Sequence, residues 1–326
     1  MIIFVTGGSG FIGLNLINFL LKKTNYKIIN IDKLTYASSC GSSNLIKKKN
    51  YNFFKFDINN YSKLSELFFR YKPNAVIHLA AETHVDRSID KPISFIKTNI
   101  FGTFNLLDVS YKYWKDQKKK DQNKFKFIHI STDEVFGDLG KTNKFFKEDT
   151  KYDPSSPYSA SKASADHLVR AWNKTFGLPT IITNCSNNYG PYQFPEKLIP
   201  LTIINAKKGN KIPIYGKGNQ KRDWLYVEDH VRAILLVLKK GIIGETYNIG
   251  GGHVIKNIDI VKEICHQLDK VIIKKPNNIK SFSKLIEFVE DRPGHDFKYA
   301  IDSGKIKNKL KWLPKRNFNQ GLKETI

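Results

Sequence analysis

Two pairs of residues in this sequence have side chains and a spacing that suit acid–base catalysis. Tyr158 and Lys162 are four residues apart, so in a helix they share one face. An ammonium group beside a phenol lowers its pKa, so that the phenolate accepts a proton from an alcohol during hydride transfer. Asp133 and Glu134 are adjacent, and in a partly desolvated site two neighbouring carboxyl groups acquire different pKa values. One of them then serves as an acid and the other as a base.

A glycine-rich segment near the N-terminus predicts a phosphate-binding turn. Gly7, Gly10 and Gly13 directly follow the apolar segment Ile2–Val5 and open a helical pattern. At a strand-to-helix turn this spacing lets the backbone approach a pyrophosphate, which the first N–H groups of the helix bind. Asp32 ends the next predicted strand, where a carboxylate binds ribose hydroxyl groups and repels a 2′-phosphate. The sequence therefore favours NAD over NADP as the cofactor.

These groups require a scaffold, and the first half of the chain predicts a doubly wound parallel Rossmann sheet of the α/β class. Short apolar strands alternate there with helical patterns. The predicted elements after the first strand are strands over Lys27–Ile31, Asn52–Phe56, Ala75–Leu79, Lys126–Ile130 and Thr180–Cys185 and a helix over Pro157–Phe176. Because functional groups collect at the carboxyl ends of such strands, the predicted site lies at that edge.

The second half predicts a smaller lobe. After Gly190 the chain is rich in proline and glycine, which is typical of loop-rich structure. We expect residues 1–186 to form mainly the NAD-binding domain. We expect residues 187–326 to form mainly the substrate-binding lobe, with some chain crossing back to the first domain.

The composition of the chain excludes several classes of protein. With 326 residues, 40% of them hydrophobic, the chain can bury a large core, so disordered and disulfide-scaffold classes are excluded. No apolar run reaches the roughly 20 residues of a membrane helix, and no secretion signal is recognisable. Cys40, Cys185 and Cys265 have no metal-site or disulfide spacing. We expect a cytoplasmic protein with no metal and no membrane partner.

The formal charge of +24 does not predict a nucleic-acid partner. Of the 54 basic residues only seven are arginine, and the lysines are scattered in short groups such as Lys22-Lys23 and Lys118–Lys120. Scattered lysines are typical of a solvated surface. We therefore expect no specific nucleic-acid partner.

Several segments together resemble the extended short-chain dehydrogenase/reductase family and, within it, the nucleotide-sugar 4,6-dehydratases. The resemblance runs from Ile2 to nearly the C-terminus. Its segments are the glycine turn, Asp32–Tyr36, Leu79–Asp86, Ser131–Gly137, the Tyr158–Lys162 pair, Asn184–Pro200, Arg222–His230 and Asp291–Asp302. The chain departs from the family pattern at Thr83, often a serine, in the segment Ala37–Ser43, and at Phe297-Lys298, where two arginines are usual.

The resemblance implies a closed redox cycle on a nucleotide-diphosphate-glucose. Tyr158, assisted by Lys162, takes the proton of the C4 hydroxyl group while NAD takes the C4 hydride, and Thr132 hydrogen-bonds the C4 oxygen. Glu134 removes the C5 proton, and Asp133 protonates the departing C6 hydroxyl group. The hydride then returns to C6, which gives a 4-keto-6-deoxy sugar nucleotide. The cofactor is regenerated in each turnover and stays tightly bound.

The resemblance also implies the residues of two binding sites and an assembly state. Together with the glycine turn, the NAD site consists of Gly7, Gly10, Phe11, Ile12, Gly13, Asp32, Lys33, Leu34, Thr35, Asp57, Ile58, Leu79, Ala80, Ala81, Glu82, Thr83, Thr98, Tyr158, Lys162 and Asn188. The substrate site consists of Thr83, Thr132, Asn187, Lys197, Leu198, Pro213, Ile214, Tyr215, Arg222, Asn257, Asp291, Arg292, Pro293, Gly294 and His295. Arg222 and Arg292 suit a diphosphate, and Tyr215 suits the base. Helices near Ile93–Tyr113 and Pro157–Phe176 are candidates for a homodimer interface.

Three other functions are compatible with parts of this pattern. A UDP-glucose 4,6-dehydratase shares most of these motifs, since uracil differs from thymine by one methyl group, which is worth as little as about 1 kcal/mol of discrimination. A sugar-nucleotide 4-epimerase also oxidises C4 but needs no Asp133–Glu134 pair. A non-catalytic basic protein would not need to keep all of Tyr158, Lys162, Asp133 and Glu134.

Overall fold

The structure is a computed structural model that describes residues 1–39, 45 and 48–326. Cys40 and part of the unusual segment 37–43 lie outside the described residues. Cys185 and Cys265 are buried free thiols. In the part of the chain that the structure describes, no helix is long and apolar enough to cross a membrane.

The described strands and helices alternate through the first half of the chain, as predicted. The strands are β1 (Ile2–Thr6), β2 (Lys27–Asp32), β3 (Tyr51–Lys55), β4 (Ala75–His78), β5 (Lys126–Thr132), β6 (Thr180–Cys185), β7 (Asn187–Tyr189), β8 (Ile212–Tyr215), β9 (Lys221–Tyr226), β10 (Thr246–Ile249), β11 (Val254–Lys256), β12 (Ile286–Val289) and β13 (Lys298–Tyr299). The α-helices are α1 (Phe11–Lys23), α2 (Tyr61–Tyr71), α3 (Val85–Asp90), α4 (Pro92–Phe95), α5 (Gly102–Lys115), α6 (Lys119–Gln122), α7 (Pro157–Phe176), α8 (Leu198–Lys208), α9 (Val227–Lys240), α10 (Asn257–Val271), α11 (Gly304–Leu310) and α12 (Phe318–Thr325). A π-helix covers Ile96–Phe101, and 3₁₀-helices cover Asp133–Phe136, Pro276–Asn278 and Phe282–Leu285.

A parallel sheet of seven strands forms the centre, in the order β10-β6-β5-β4-β1-β2-β3. Helices α1 and α9 pack together on one face, and α2, α5 and α7 cover the other. This confirms the predicted fold class. The chain reverses direction across the sheet between β1 and β4, and a crevice for ligands forms where the loops diverge at such a point.

Strand β5 is longer than predicted, and this matters for the site. The expected strand ended at Ile130, but pairing with β6 continues to Thr132, which lies opposite Cys185. The following residues turn at once into a 3₁₀-helix. Asp133 and Glu134 therefore lie directly at the carboxyl edge of the sheet.

The second lobe is built around β9, which pairs with β7, β11 and β13. Its core includes Tyr189, Trp224 and Phe318, packed with residues of α8 and α10. Two elements of the second half belong to the first domain: α9 packs on α1, and β10 forms the edge of the central sheet.

A capping box stabilises the start of helix α7. The Ser156 hydroxyl accepts the N–H of Ser159, and the Ser159 side chain accepts the N–H of Ser156. Pro157 occupies the first helical turn, and Gly177 ends the helix with a positive φ of 74°. These caps place Tyr158 in the first turn of the helix, next to the carboxyl edge of the sheet.

Candidate active site

A cavity of about 290 Å³ lies at the carboxyl ends of the central strands. It brings together the glycine turn, the acidic pair and the Tyr158–Lys162 pair. The predicted residues in its lining are Gly7, Gly10, Phe11, Ile12, Gly13, Asp32, Lys33, Thr35, Asp57, Ile58, Leu79, Ala80, Ala81, Thr83, Thr98, Thr132, Asp133, Glu134, Tyr158, Lys162, Asn187, Asn188 and Lys197. One continuous cavity therefore connects the predicted cofactor groups with the predicted catalytic groups.

Two predicted cofactor residues lie outside this lining. Leu34 has a positive φ of 58°, and its N–H donates to Asp32 while its side chain is exposed. The Glu82 carboxylate is 3.1 Å from the Lys33 ammonium group, and its backbone is hydrogen-bonded to Asn99. Both residues shape the loops that bound the cavity.

The glycine turn fits the backbone of a dinucleotide. A Cβ atom on Gly13 would lie 2.3 Å from the Gly7 carbonyl oxygen, and one on Gly7 would lie 2.6 Å from the Ala80 nitrogen. Gly10 precedes α1 without a side-chain cap, so the first N–H groups of this helix are available to an anion. Asp32 accepts N–H groups from Ser9 and Leu34 at 2.9 and 2.8 Å. These residues fit NAD.

Gly13→Ala tests this fit. The added Cβ atom meets backbone atoms that cannot rotate away, so we expect a loss of about 1–3 kcal/mol in stability and a protein that copurifies without dinucleotide. Gly10→Ala is the matched control for the melting temperature, since its Cβ atom would approach only the Gly7 carbonyl oxygen, at 3.4 Å. Thermal unfolding and the absorbance of bound dinucleotide measure the two effects. An unchanged melting temperature in Gly13→Ala would contradict the close approach described here.

The two carboxyl groups have different environments. Burial raises the pKa of Asp133 well above its usual range, and the charges of Glu134 and Asp223 raise it further. Burial also raises the pKa of Glu134, but the nearby cations Lys197, Arg222 and Arg292 lower it. Burial therefore favours the protonated form of Asp133, while the three cations favour the ionised form of Glu134.

Asp133→Asn is expected to stabilise the fold at neutral and alkaline pH. Because the folded-state pKa of Asp133 is raised, unfolding releases its proton, and stability falls as the pH rises from the ordinary value of 3.8 towards the raised one. The amide has no such proton, so we expect a gain on the order of 1 kcal/mol at pH 8 that disappears below pH 4. Urea unfolding at both pH values measures it. A variant less stable than the wild type at pH 8 would show that Asp133 is ionised in the folded protein.

Tyr158 and Lys162 line the same cavity, but the phenol pKa is raised, where the sequence predicted a lowered one. Burial raises the pKa of Tyr158 well above 10, and the charge of Glu134 raises it further. The Lys162 ammonium group donates to the Ile130 carbonyl oxygen at 2.8 Å and lies 3.3 Å from His129 Nε2.

A buried polar network behind Lys162 was missed by the sequence analysis. Asp166 lies 3.2 Å from His129 Nε2 and accepts hydrogen bonds from Ser131 and Tyr152. Burial raises the Asp166 pKa, but the hydrogen bond and charge of His129 and the charges of Lys162 and Arg170 outweigh it, so the pKa is lowered overall. Asp166 follows Lys162 by four residues in α7, so the spacing that paired Tyr158 with Lys162 could also have found it.

Other residues of the cavity lining were not predicted either. Most are neighbours in sequence of predicted ones, so extension of each motif by a residue or two could have found them. They are Ile31, Ala37, Ser38, Phe56, Ile130, Ser131, Cys185, Ser186, Gln193, Phe194 and Glu196.

The remaining predicted substrate residues lie outside the cavity lining. These are Leu198, Pro213, Ile214, Tyr215, Arg222, Asn257, Asp291, Arg292, Pro293, Gly294 and His295. Four of them, Tyr215, Asp291, Arg292 and His295, contact Asp86 or one another. The Tyr215 hydroxyl and Arg292 Nη1 contact the Asp86 carboxylate at 3.2 and 3.1 Å, the His295 ring lies beside Tyr215, and Asp291 bonds His295 at 2.6 Å and Gln220.

Arg222 is held differently from a surface arginine. It is 5% exposed, donates to the carbonyl oxygens of Lys221, Asp296 and Phe297, and lies 4.2 Å from the centre of the Tyr299 ring. Its guanidinium group therefore acts on the site mainly through its charge, which lowers the pKa of Glu134. Lys197, whose ammonium group donates to the Thr83 carbonyl oxygen, acts in the same direction.

The parallel sheet, the glycine turn and the Tyr158–Lys162 pair in one cavity define an extended short-chain dehydrogenase/reductase. The family model described as GDP-mannose 4,6 dehydratase matches residues 4–325. The chain belongs to this family of nucleotide-sugar 4,6-dehydratases, so the resemblance inferred from the sequence is confirmed.

Relatives and solved structures of similar sequence cover nearly the whole chain. A dTDP-glucose 4,6-dehydratase of Neisseria meningitidis serogroup B is 53% identical, over 99% of this chain and 92% of that protein. One of Haemophilus influenzae is 52% identical, over 100% and 97%. The dTDP-glucose 4,6-dehydratase of Bacillus anthracis, solved in complex with NAD, has a TM-score of 0.86 and 44% identity over 100% of this chain and 95% of that one.

Proposed function

We propose that this protein is an NAD-dependent hydro-lyase that converts dTDP-glucose into the 4-keto-6-deoxy sugar nucleotide. The observation that carries the proposal is the pair Asp133 and Glu134, held beside Tyr158 in one cavity with the glycine turn. A simple dehydrogenase or a 4-epimerase needs the tyrosine and the cofactor but has no step that requires a separate acid and base. The names of the relatives, dTDP-glucose 4,6-dehydratases, support the same reaction.

The proposed cofactor site consists of the residues whose geometry fits NAD. The glycine turn and the N-terminus of α1 bind the pyrophosphate, and Asp32 binds the ribose hydroxyl groups. When bound, NAD accepts the C4 hydride and returns it to C6. Lys162, which lines the cavity beside Tyr158, contributes a positive charge next to that region.

Each proton transfer has a residue placed for it. Tyr158 takes the proton of the C4 hydroxyl group in its phenolate form, which the positive charges of Lys162 and of bound NAD would favour, while the Thr132 hydroxyl orients the C4 oxygen. Oxidation at C4 makes the proton on C5 acidic. Glu134 removes this proton, since nearby cations favour the ionised form of its carboxyl group. Asp133, protonated because it is buried, gives its proton to the departing C6 hydroxyl group. Glu134, which is only partly buried, exchanges this proton with water and later gives one back to C5.

The nucleotide diphosphate is proposed to bind in the cleft between the two lobes. Arg292 and Lys197 supply positive charge there, and both lie close enough to lower the pKa of Glu134. Tyr215, on β8, is partly exposed and free to pack against the base. UDP-glucose remains the alternative substrate, and the experiment below compares the two directly.

We also propose that the protein is a cytoplasmic homodimer. Apolar side chains are exposed on the helical segments predicted for the interface, among them Ile93 at 60% and Phe101 at 58%. Phe104 on α5 and Phe176 on α7 are exposed as well and lie on the same predicted helices. The free thiols Cys185 and Cys265 suit a reducing compartment. Light scattering coupled to size-exclusion chromatography tests the dimer, and an elution as a monomer would overturn it.

Incubation with dTDP-glucose and with UDP-glucose in deuterated water tests the function. We expect mass spectrometry to show loss of one water and retention of one deuterium at C5, and faster conversion of dTDP-glucose. A product of unchanged mass that is epimerised at C4 would instead establish an epimerase. Unchanged substrate in both reactions, with dinucleotide bound, would refute an enzymatic role on either sugar nucleotide.

A further inference from the structure

Lys162 serves the proposed function only as an ammonium group, yet its side chain is buried. The residue is 4% exposed, and burial lowers the pKa of Lys162, which favours the neutral amine. Nζ donates to the Ile130 carbonyl oxygen at 2.8 Å, but that dipole carries no net charge. A buried ammonium group is costly unless an anion compensates it. The residue that supplies this anion therefore decides whether Lys162 is charged.

Asp166 lies one helical turn after Lys162 on α7 and is fully buried. Its Oδ2 accepts hydrogen bonds from Ser131 and Tyr152 at 2.9 and 2.8 Å. Its Oδ1 lies 3.2 Å from His129 Nε2, and the same ring nitrogen lies 3.3 Å from Lys162 Nζ. One atom of His129 therefore contacts both the ammonium group and the carboxylate.

The other side chains of the central sheet and of α7 that face Lys162 supply no negative charge at neutral pH. Burial lowers the pKa of His129 on β5 to about 4. Burial also holds the pKa of His78, the neighbouring ring on β4, well below 6.5. On β6, burial raises the pKa of the Cys185 thiol to about 12, and it raises that of the Tyr158 phenol well above 10. All four groups are therefore neutral.

The groups behind Asp166 do not add an anion either. The Tyr152 phenol has a raised pKa because it is buried, and it accepts a hydrogen bond from Arg170 Nη2 at 2.6 Å. Arg170 is thus a second cation on the far side of the carboxylate. Burial disfavours the charge of Lys162, and the charge of Asp166 acts against this and raises the lysine pKa. Among the described residues of this network, Asp166 is the anion.

We propose that Asp166 is a positioning residue that acts through His129 and keeps Lys162 in its charged form at the wall of the cavity. The inference rests on the proposed function, in which that charge favours the phenolate form of Tyr158. A carboxylate in direct contact would draw the ammonium group away from the cavity. With the imidazole ring between them, the carboxylate compensates the charge while Nζ stays on the Ile130 carbonyl oxygen.

Asp166→Asn should make the reaction more sensitive to alkaline pH. The amide keeps the shape and an oxygen acceptor but removes the negative charge, so the Lys162 ammonium group loses its proton at a lower pH. We expect kcat/KM for dTDP-glucose to stay within about threefold of the wild type at pH 6 and to lie at least about tenfold below it at pH 9, since one pKa unit is tenfold. Initial rates of the NAD-loaded proteins across this range measure the effect.

Tyr152→Phe is the matched control, because it removes one hydrogen bond to Asp166 but leaves the carboxylate charged. Its alkaline limb should coincide with that of the wild type. Asp166→Ser, which is also neutral, replaces the asparagine variant if that variant does not fold. An equal loss of kcat/KM at every pH in the neutral variant would show that Asp166 only supports the structure, and would overturn the inference.

A cycle of two substitutions tests the pair without reference to activity. Asp166→Asn leaves the ammonium group without its anion, and Lys162→Met leaves the carboxylate without its cation, whereas the double variant holds neither charge. In saturating NAD, the urea midpoint of the double variant should fall by less than the sum of the two single losses. Additive losses would overturn the inference.

Failure of this inference and failure of the proposed function are distinguishable. Absence of dehydrated product from the wild-type protein would refute the proposed function, and the unfolding cycle would still decide whether Asp166 compensates the charge of Lys162.

Discussion

Glu134→Gln should oxidise its substrate once and then stop, with the reduced cofactor accumulating on the protein. The amide cannot accept the C5 proton, but oxidation at C4 needs only Tyr158 and the cofactor. General bases contribute about 10²–10⁴-fold to such steps, so we expect turnover to fall by that factor. The near-ultraviolet absorbance of reduced nicotinamide after rapid mixing with dTDP-glucose should approach one equivalent per site.

Glu66→Gln is the matched control, since it makes the same chemical change at an exposed position on α2. It should turn over like the wild type and accumulate no reduced cofactor. Normal turnover of Glu134→Gln would show that another group removes the C5 proton. A variant that neither turns over nor reduces its cofactor would place Glu134 in the oxidation step instead.

Tyr158→Phe should fail one step earlier. Without the phenol, no group is placed to take the C4 hydroxyl proton, so oxidation does not begin and no reduced cofactor appears. We expect a loss of at least about 10³-fold in turnover, with bound NAD retained, because the ring still fills its buried position. Rapid-mixing absorbance and chromatographic analysis of released dinucleotide measure the two outcomes.

Tyr26→Phe serves as the control, because Tyr26 precedes β2 and therefore lies at the opposite edge of the sheet. It should retain wild-type activity. If Tyr158→Phe reduced its cofactor at the wild-type rate, the proton would leave by another route. The contrast between Tyr158→Phe and Glu134→Gln therefore orders the two chemical steps.

The fold class and the gathering of the candidate site residues in one cavity were predictable from the sequence, because they depend on local patterns. Alternating strands and helices determine a doubly wound sheet, and glycines at 7, 10 and 13 can serve one kind of turn. The capping residues around Pro157 fix the helix that carries Tyr158 and Lys162. In each case the signal lies within a few residues of the feature that it predicts.

The tertiary structure decided how these groups ionise and what they touch. The pKa of Tyr158 is raised rather than lowered, Arg222 is bound to backbone carbonyl oxygens, and Asp166 supports Lys162 through His129. Burial, the charge of Glu134 after β5, the His129 ring on β5 and the carbonyl groups of Asp296 and Phe297 before β13 determine these properties. Such residues are distant in sequence, so their distances, and hence the electrostatic energies, exist only once the chain has folded.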